Sequence, residues 1–202
     1  MSPTGPSRAR NNLLRIPAFI GLVLAVAGMR AAAQETSLRL DPQLTTVNYT
    51  LSDVLHTIHG TFQLKQGALQ LDPSTGKLSG EIVVDAKSGQ SGTAMRDRKM
   101  HREILESDRY PEITFRPDHV EGTVALLGKS SVQVHGVFNL HGADHELTAP
   151  ADVEITPDHW SATVHFSVPY VKWGIKNPST LFLRVSESVD IDLTATGPVA
   201  KP

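Results

Sequence analysis

Two short segments concentrate side chains able to hold a polar or charged group. The first carries Arg96, Asp97 and His101. A guanidinium beside the mouth of an apolar site can hold a phosphate or a quinone oxygen through charge-assisted hydrogen bonds. The same Arg96 and Asp97 could instead pin an irregular segment to the rest of the fold, and from residues alone both roles stay open. The second segment carries Lys172, Trp173 and Lys176. An indole flanked by two ammonium groups suits a ring-and-phosphate headgroup. It also suits a plug at the end of a barrel with two solvated lysines beside it.

Other chemistry is poorly supplied. The chain has no cysteine, which removes thiol catalysis, thiolate metal sites and redox exchange. His56-x-x-His59 and His141-x-x-x-His145 have spacings that metal sites use, but neither falls on a predicted helix, and solvated loop histidines account for them. Gly89-Gln90-Ser91-Gly92 is one residue short of a nucleophile elbow. His145-Glu146-Leu147-Thr148-Ala149 lacks the second histidine of a zinc-protease helix. No catalytic residue, metal or cofactor is therefore assigned. The one enzymatic alternative retained is action on a bound lipid or quinone, with Asp97 or His101 as base.

Alternation of apolar and polar residues builds the scaffold that must position these groups. Val132, Val134, Phe138 and Leu140 alternate with Gln133, His135, Asn139 and His141. Ala162, Val164, Phe166, Val168 and Tyr170 alternate with Ser161, Thr163, His165 and Ser167. Val47–Leu51, Ile113–Phe115 and Val189–Leu193 repeat the pattern, which buries one face of each strand. Asp72-Pro73-Ser74-Thr75-Gly76, Arg116-Pro117-Asp118 and Thr156-Pro157-Asp158 are turn signals between the runs. About eight strands joined mostly by tight turns predict an antiparallel meander, hence a barrel or sandwich. One charged stretch, Ser88 to Asp108, breaks the rhythm. It predicts a short helix starting near Ser91, with Ser91 as its cap, ended by Tyr110-Pro111.

The first residues read as a leader. Arg8, Arg10 and Arg15 precede the apolar run Ile16 to Met29, and Ala31-Ala32-Ala33 offers a small-residue cleavage site. That is the pattern of a secretory signal peptide over 1–33. The run falls short of the roughly 20 apolar residues a spanning helix needs. The expected mature domain is 34–202. Removing the leader's four arginines leaves 15 basic against 21 acidic side chains, a net charge of −6. That charge argues against nucleic acid or an anionic membrane as a general partner. A homodimer stays open.

An eight-stranded barrel either fills with its own side chains or holds one small ligand. Gly80, Gly122, Gly136 and Ala162 stand among the large inward residues, and small inward residues leave room unless neighbours fill it. The expected lining is Phe115, Val134, Phe138, Val164, Phe166 and Tyr170. It carries no ionisable group except the phenol. A long isoprenoid or acyl chain would bury there with about 0.8 kcal/mol per methylene.

The chain resembles the YceI-like family. The resemblance rests on Arg96-Asp97 with Met100-His101, followed by Ser107-Asp108-Arg109-Tyr110-Pro111-Glu112-Ile113-Thr114-Phe115. Leu40-Asp41, Val47-Asn48-Tyr49, His59-Gly60-Thr61-Phe62, Asn139-Leu140-His141-Gly142 and Val171 to Asn177 extend it over nearly the whole mature chain, in order. The resemblance implies an extended, eight-stranded, lipocalin-like antiparallel barrel with one short helix between strands. It implies a bacterial periplasmic or secreted location, and binding of polyisoprenoid lipids, quinones or other amphiphiles. The implied ligand-binding set is Arg96, Asp97, His101, Phe115, Val134, Phe138, Val164, Phe166, Tyr170 and Trp173. Two departures stand out. Leu38-Arg39-Leu40 lacks the family's early aromatic residue, and Ala143-Asp144-His145 replaces the usual Val-Thr-Lys, which puts a headgroup contact from that loop in question. A ligand-free, packed envelope protein remains the non-binding alternative.

Overall fold

Period-two alternation produces strands along most of the chain. A computed structural model describes residues 35–53, 56–180 and 184–199, so the leader expected over 1–33 lies outside the described residues. Nine strand segments are present among those described: β1 (Thr36–Arg39), β2 (Thr46–Ser52), β3 (Thr57–Asp72), β4 (Lys77–Gln90), β5 (Glu112–Glu121), β6 (Gly128–Leu140), β7 (Ala143–Ile155), β8 (His159–Val168) and β9 (Val189–Pro198). Between β4 and β5 lies a helix, α1 (Ala94–Lys99), continued by a wide turn over Met100–Ile104.

All pairings are antiparallel. The ring runs β3-β2-β9-β8-β7-β6-β5-β4 and closes through β3 with β4, giving an eight-stranded barrel. Closure removes the unpaired edges an open sheet would present. The extra strand, β1, completes one stave. β2 pairs only the first part of β3, and β1 takes the last part, Thr36↔Leu71 to Arg39↔Ala68. The chain jogs between them at Asp41, whose carbonyl accepts from Leu44 and Thr45 and whose amide donates to Thr196 O.

The β6–β7 hairpin shows how local chemistry sets register. Its two loop residues, His141 and Gly142, both have positive φ (55° and 75°), the conformation of a two-residue type I′ turn. Thirteen consecutive cross-strand pairs follow from that turn without a slip. Elsewhere the wall bends at bulges, and two of the glycines expected to leave interior room serve this purpose instead. A Cβ on Gly136 would lie 2.4 Å from Arg116 O, beside the β5–β6 irregularity at Pro117. A Cβ on Gly80 (φ +116°) would lie 2.1 Å from Ala68 O. Only glycine permits backbone approach that close.

The interior divides into two apolar clusters. One gathers Leu38, Leu69, Leu71, Leu78, Val132, Ile155 and Trp160 toward the end formed by the three tight turns after β3, β5 and β7. The other gathers Leu140, Val168, Tyr170 and Ile175 toward the opposite end, beside the turn after α1 and residues 169–180.

Candidate binding cavity

The irregular segment between β4 and β5 sits across one end of the barrel, held there by polar contacts. Arg96 donates from Nε to Ser91 Oγ (2.7 Å) and from one terminal nitrogen to Ser91 O (2.7 Å) and Thr93 Oγ1 (3.2 Å). Asp97 Oδ1 accepts from Ser91 N at 2.8 Å and from the Ser91 hydroxyl. These contacts explain a departure from the expected helix. Ser91 does not cap it, because Arg96 and Asp97 have captured its side chain. The helix instead begins at Ala94, after Thr93, with no side-chain cap.

His101 staples the wide turn. Its Nε2 lies 2.8 Å from Gly89 O and its Nδ1 lies 3.0 Å from Ser107 Oγ. A carbonyl only accepts, so the proton sits on Nε2 and Nδ1 receives the serine hydroxyl. Ser107 N also donates to His101 O (3.0 Å), and Leu105 N donates to Met100 O five residues back (2.8 Å). The turn closes on Glu106, held at positive φ (44°) and 3.6 Å from His141 Nε2. Lys99 Nζ reaches Pro178 O (3.3 Å) and Lys176 pairs with Glu103 (3.7 Å), which tie this segment to the connection before β9.

Behind this covering lies an outer cavity of about 720 Å³. Its wall is apolar: Tyr49, Leu51, Phe62, Met100, Ile104, Leu105, Phe138, Tyr170, Ile175, Val189 and Ile191 all contribute. It meets solvent where the exposed side chains Met95, Arg98, Arg102 and Glu103 join the lining, with Arg96 and Lys99 beside them. The volume lies within the 300–1,000 Å³ typical of small-molecule sites. Two phenols face this space. Burial raises the pKa of Tyr49, whose hydroxyl donates to Met100 Sδ (3.7 Å), and also that of Tyr170, whose hydroxyl donates to Ser186 O (2.5 Å). Both stay neutral at physiological pH.

A second, inner chamber of about 180 Å³ occupies the rest of the barrel. Every side chain lining it is apolar except Thr114, if Trp160 is counted with the apolar ones. The Trp160 indole N–H is used, donating to Arg39 O (3.2 Å).

The structure sorts the residues expected from sequence into three places. Phe138 lines both chambers; Tyr170 and Arg96 line the outer one; Phe115, Val134, Val164 and Phe166 line the inner one. Asp97 and His101 line neither, since their polar atoms are spent on Ser91, Gly89 and Ser107. Trp173 also lines neither. It stacks on His145 (ring centroids 4.1 Å apart, planes at 3°) and leans on Phe138 from outside the cavities. Asp144, in the loop that departs from the family pattern, accepts from Asn139 (2.6 Å) and Arg116 (3.2 Å). Those bonds, the Asn139 one first, hold its carboxyl below the usual range.

Sequence reasoning missed Tyr49, Leu51, Phe62, Ile104, Leu105, Ile175, Val189 and Ile191 as cavity wall. The period-two pattern marked Tyr49, Leu51, Val189 and Ile191 as inward, without saying which would face space. Nothing local marked Arg98 and Arg102 as rim residues. The paired histidines stay apart: His56 contacts Asp53 and His59 contacts Thr50. Among the described residues no group of three or more His, Asp or Glu could hold a metal ion, and no helix is long and apolar enough to cross a membrane.

The family model for the YceI-like domain matches residues 38–197. Solved structures share the architecture at low identity. BcnA of Burkholderia cenocepacia is 14% identical, with a TM-score of 0.65 over 78% of this chain and 99% of that one. A polyisoprenoid binding domain from Saccharophagus degradans, implicated in plant cell wall breakdown, is 13% identical, with a TM-score of 0.60 over 80% and 98%. A YCEI protein of Campylobacter jejuni is 12% identical, with a TM-score of 0.58 over 73% and 88%. At these identities the likeness establishes the fold. No curated protein matches the chain.

Proposed function

The chain belongs to the YceI-like domain family, and from that premise we propose that it is an exported binding protein for a long apolar or amphiphilic lipid of polyisoprenoid, quinone or fatty-acid type. One observation carries the reading. A greasy outer cavity opens to solvent under a rim of Arg96, Arg98, Lys99 and Arg102. Apolar walls take a hydrocarbon chain at about 0.8 kcal/mol per buried methylene, with no polar contact required along it. The cationic rim suits a phosphate or a carbonyl-bearing headgroup left at the surface. The named ligand class of the Saccharophagus degradans domain, polyisoprenoid, supports the same choice.

Binding without turnover fits the site. A general base needs a free lone pair aimed at substrate. The His101 lone pair is held by Ser107, Asp97 Oδ1 is taken by Ser91, and neither residue lines the cavity. Export to a bacterial periplasm or medium rests on the leader pattern, with cleavage near Ala33.

Native mass spectrometry of the protein purified from its own cell envelope tests the reading. A bound lipid released on organic extraction is the expected result, with Gln34 as the first residue. A protein that emerges repeatedly free of lipid, from envelopes rich in isoprenoids, sinks the carrier assignment.

A further inference from the structure

The two chambers touch at one place. Among the described residues, only Phe62, Ile113, Phe138 and Ile191 border both. They come from β3, β5, β6 and β9 and form a neck across the tunnel. Its two aromatic members are braced. Phe62 sits 5.4 Å from the Tyr49 ring, and a Cβ on Gly89 would come within 2.5 Å of its edge. Phe138 is held edge-on by Phe166 at 6.0 Å and leans on Trp173 at 5.8 Å. Packing behind Phe62 and Phe138 restricts how far either ring can swing aside.

The chamber behind the neck differs in kind from the one in front. Four cationic side chains line the outer cavity, and no charged side chain lines the inner one. An apolar void of this size stays dry and takes small apolar guests, as an engineered void of about 150 Å³ does. Nothing there except the Thr114 hydroxyl could pair a polar atom, and an unpaired polar group buried in it would be strongly disfavoured.

We propose that the inner chamber is a distinct subsite for the terminal segment of a hydrocarbon chain, and that the Phe62–Ile113–Phe138–Ile191 neck makes the protein select chains by length. A chain that ends in the outer cavity makes no contact with the inner subsite. A chain long enough to pass the neck fills a dry space with its end and binds more tightly for each methylene beyond it. The chain enters tail first, and its polar end stays at the rim. This inference rests on the proposed lipid-carrier reading.

Isothermal titration of the delipidated mature protein with n-alkyl phosphates, from octyl to docosyl, tests it. Affinity rises with length, levels where the chain reaches the neck, then climbs again by up to about fourfold per methylene. Ala151 lines only the inner chamber, so Ala151→Leu abolishes the second climb while octyl phosphate titrates as before. Xenon provides a second measurement that needs no variant. It shifts the methyl resonances of Val132 and Leu193, which line only the inner chamber. Docosyl phosphate expels it and octyl phosphate does not. A single smooth rise with length, or equal expulsion of xenon by both ligands, overturns the length-selection proposal and leaves the carrier reading standing. Failure of every alkyl phosphate and of extracted native lipid to bind overturns both.

Discussion

The two ends of this barrel are made from the same alternating strands and solve different problems. At the closed end, the connections after β3, β5 and β7 are short and side chains leave only the inner chamber of about 180 Å³. Trp160 is only 4% exposed there, and its indole N–H is satisfied by Arg39 O. At the open end, α1 and the wide turn lie over the barrel; Ile104 and Leu105 pack against the cluster below, while α1 itself buries no residue and is attached through Ser91. Stability therefore concentrates at one end and access at the other. A helix held by hydrogen bonds leaves the cavity beneath it open, whereas a helix held by packing would fill it.

Substitutions at the two ends should separate these roles, starting with the largest effect. Trp160→Ala should cost about 3–5 kcal/mol in chemical denaturation, because a large side chain leaves a space that the turns cannot close. Ile104→Ala, on the outer cavity wall, should cost less than the roughly 2 kcal/mol at which buried Ile→Ala changes begin. Its main effect should be on ligand retention. Equal losses at the two positions would erase the distinction between the ends.

Next comes the polar attachment. Asp97→Ala leaves both Ser91 N and the Ser91 hydroxyl without their acceptor, and should cost about 1–3 kcal/mol. Amide exchange should speed up from Ser91 to Ser107 with the closed-end turns unchanged. If protection falls evenly over the barrel, the segment is not a separate unit.

A smaller effect is expected at the rim. Arg98→Gln with Arg102→Gln should leave stability within about 0.5 kcal/mol, since both side chains are exposed. It should weaken alkyl phosphates more than alkyl alcohols, by a margin that shrinks as salt rises. Equal weakening of both ligands would show that the rim acts through shape instead of charge.

The smallest effect is acid sensitivity, and it occurs at both ends. Asp72, in the β3–β4 turn, is held below the ordinary aspartate value of 3.8 by its bonds from Ser74 and then Thr75. Asp108 is held below it by Lys87. A depressed carboxyl stabilises the fold above its ordinary value, and that contribution is lost as pH falls through the depressed one. Stability should therefore decline below about pH 4. Asp72→Asn should flatten the part of the decline that arises at the closed end, and Asp108→Asn the part that arises at the open end. Carboxyl titration followed by NMR measures each. An unshifted Asp72 curve would remove the turn from this account.

Much of this was legible residue by residue. Val132, Val134, Phe138 and Leu140 revealed their inward face because strand geometry repeats every two residues, whatever lies opposite. Asp72-Pro73-Ser74-Thr75-Gly76 announced its turn through side chains that bond their own backbone. The Tyr-Pro-x-Ile-x-Phe signature with Arg96-Asp97 fixed the family. Trp173 lies outside both chambers, a placement that could not be read locally. Its type suits a headgroup site, but its stacking partner, His145 on β7, lies 28 positions earlier in the chain, which no local pattern records.

The sequence alone therefore determined the strands, an antiparallel barrel or sandwich built from them and the apolar character of its interior, because alternation and turns follow from the near neighbours of a residue along the chain. The tertiary structure decided that Arg96 and Asp97 hold Ser91, that His101 is committed to the backbone, and that the interior splits into two chambers at four side chains. The physical reason is that a cavity is the small difference between the space a closed sheet encloses and the volume of the side chains from eight strands that project into it. That difference is fixed only when every stave has found its register.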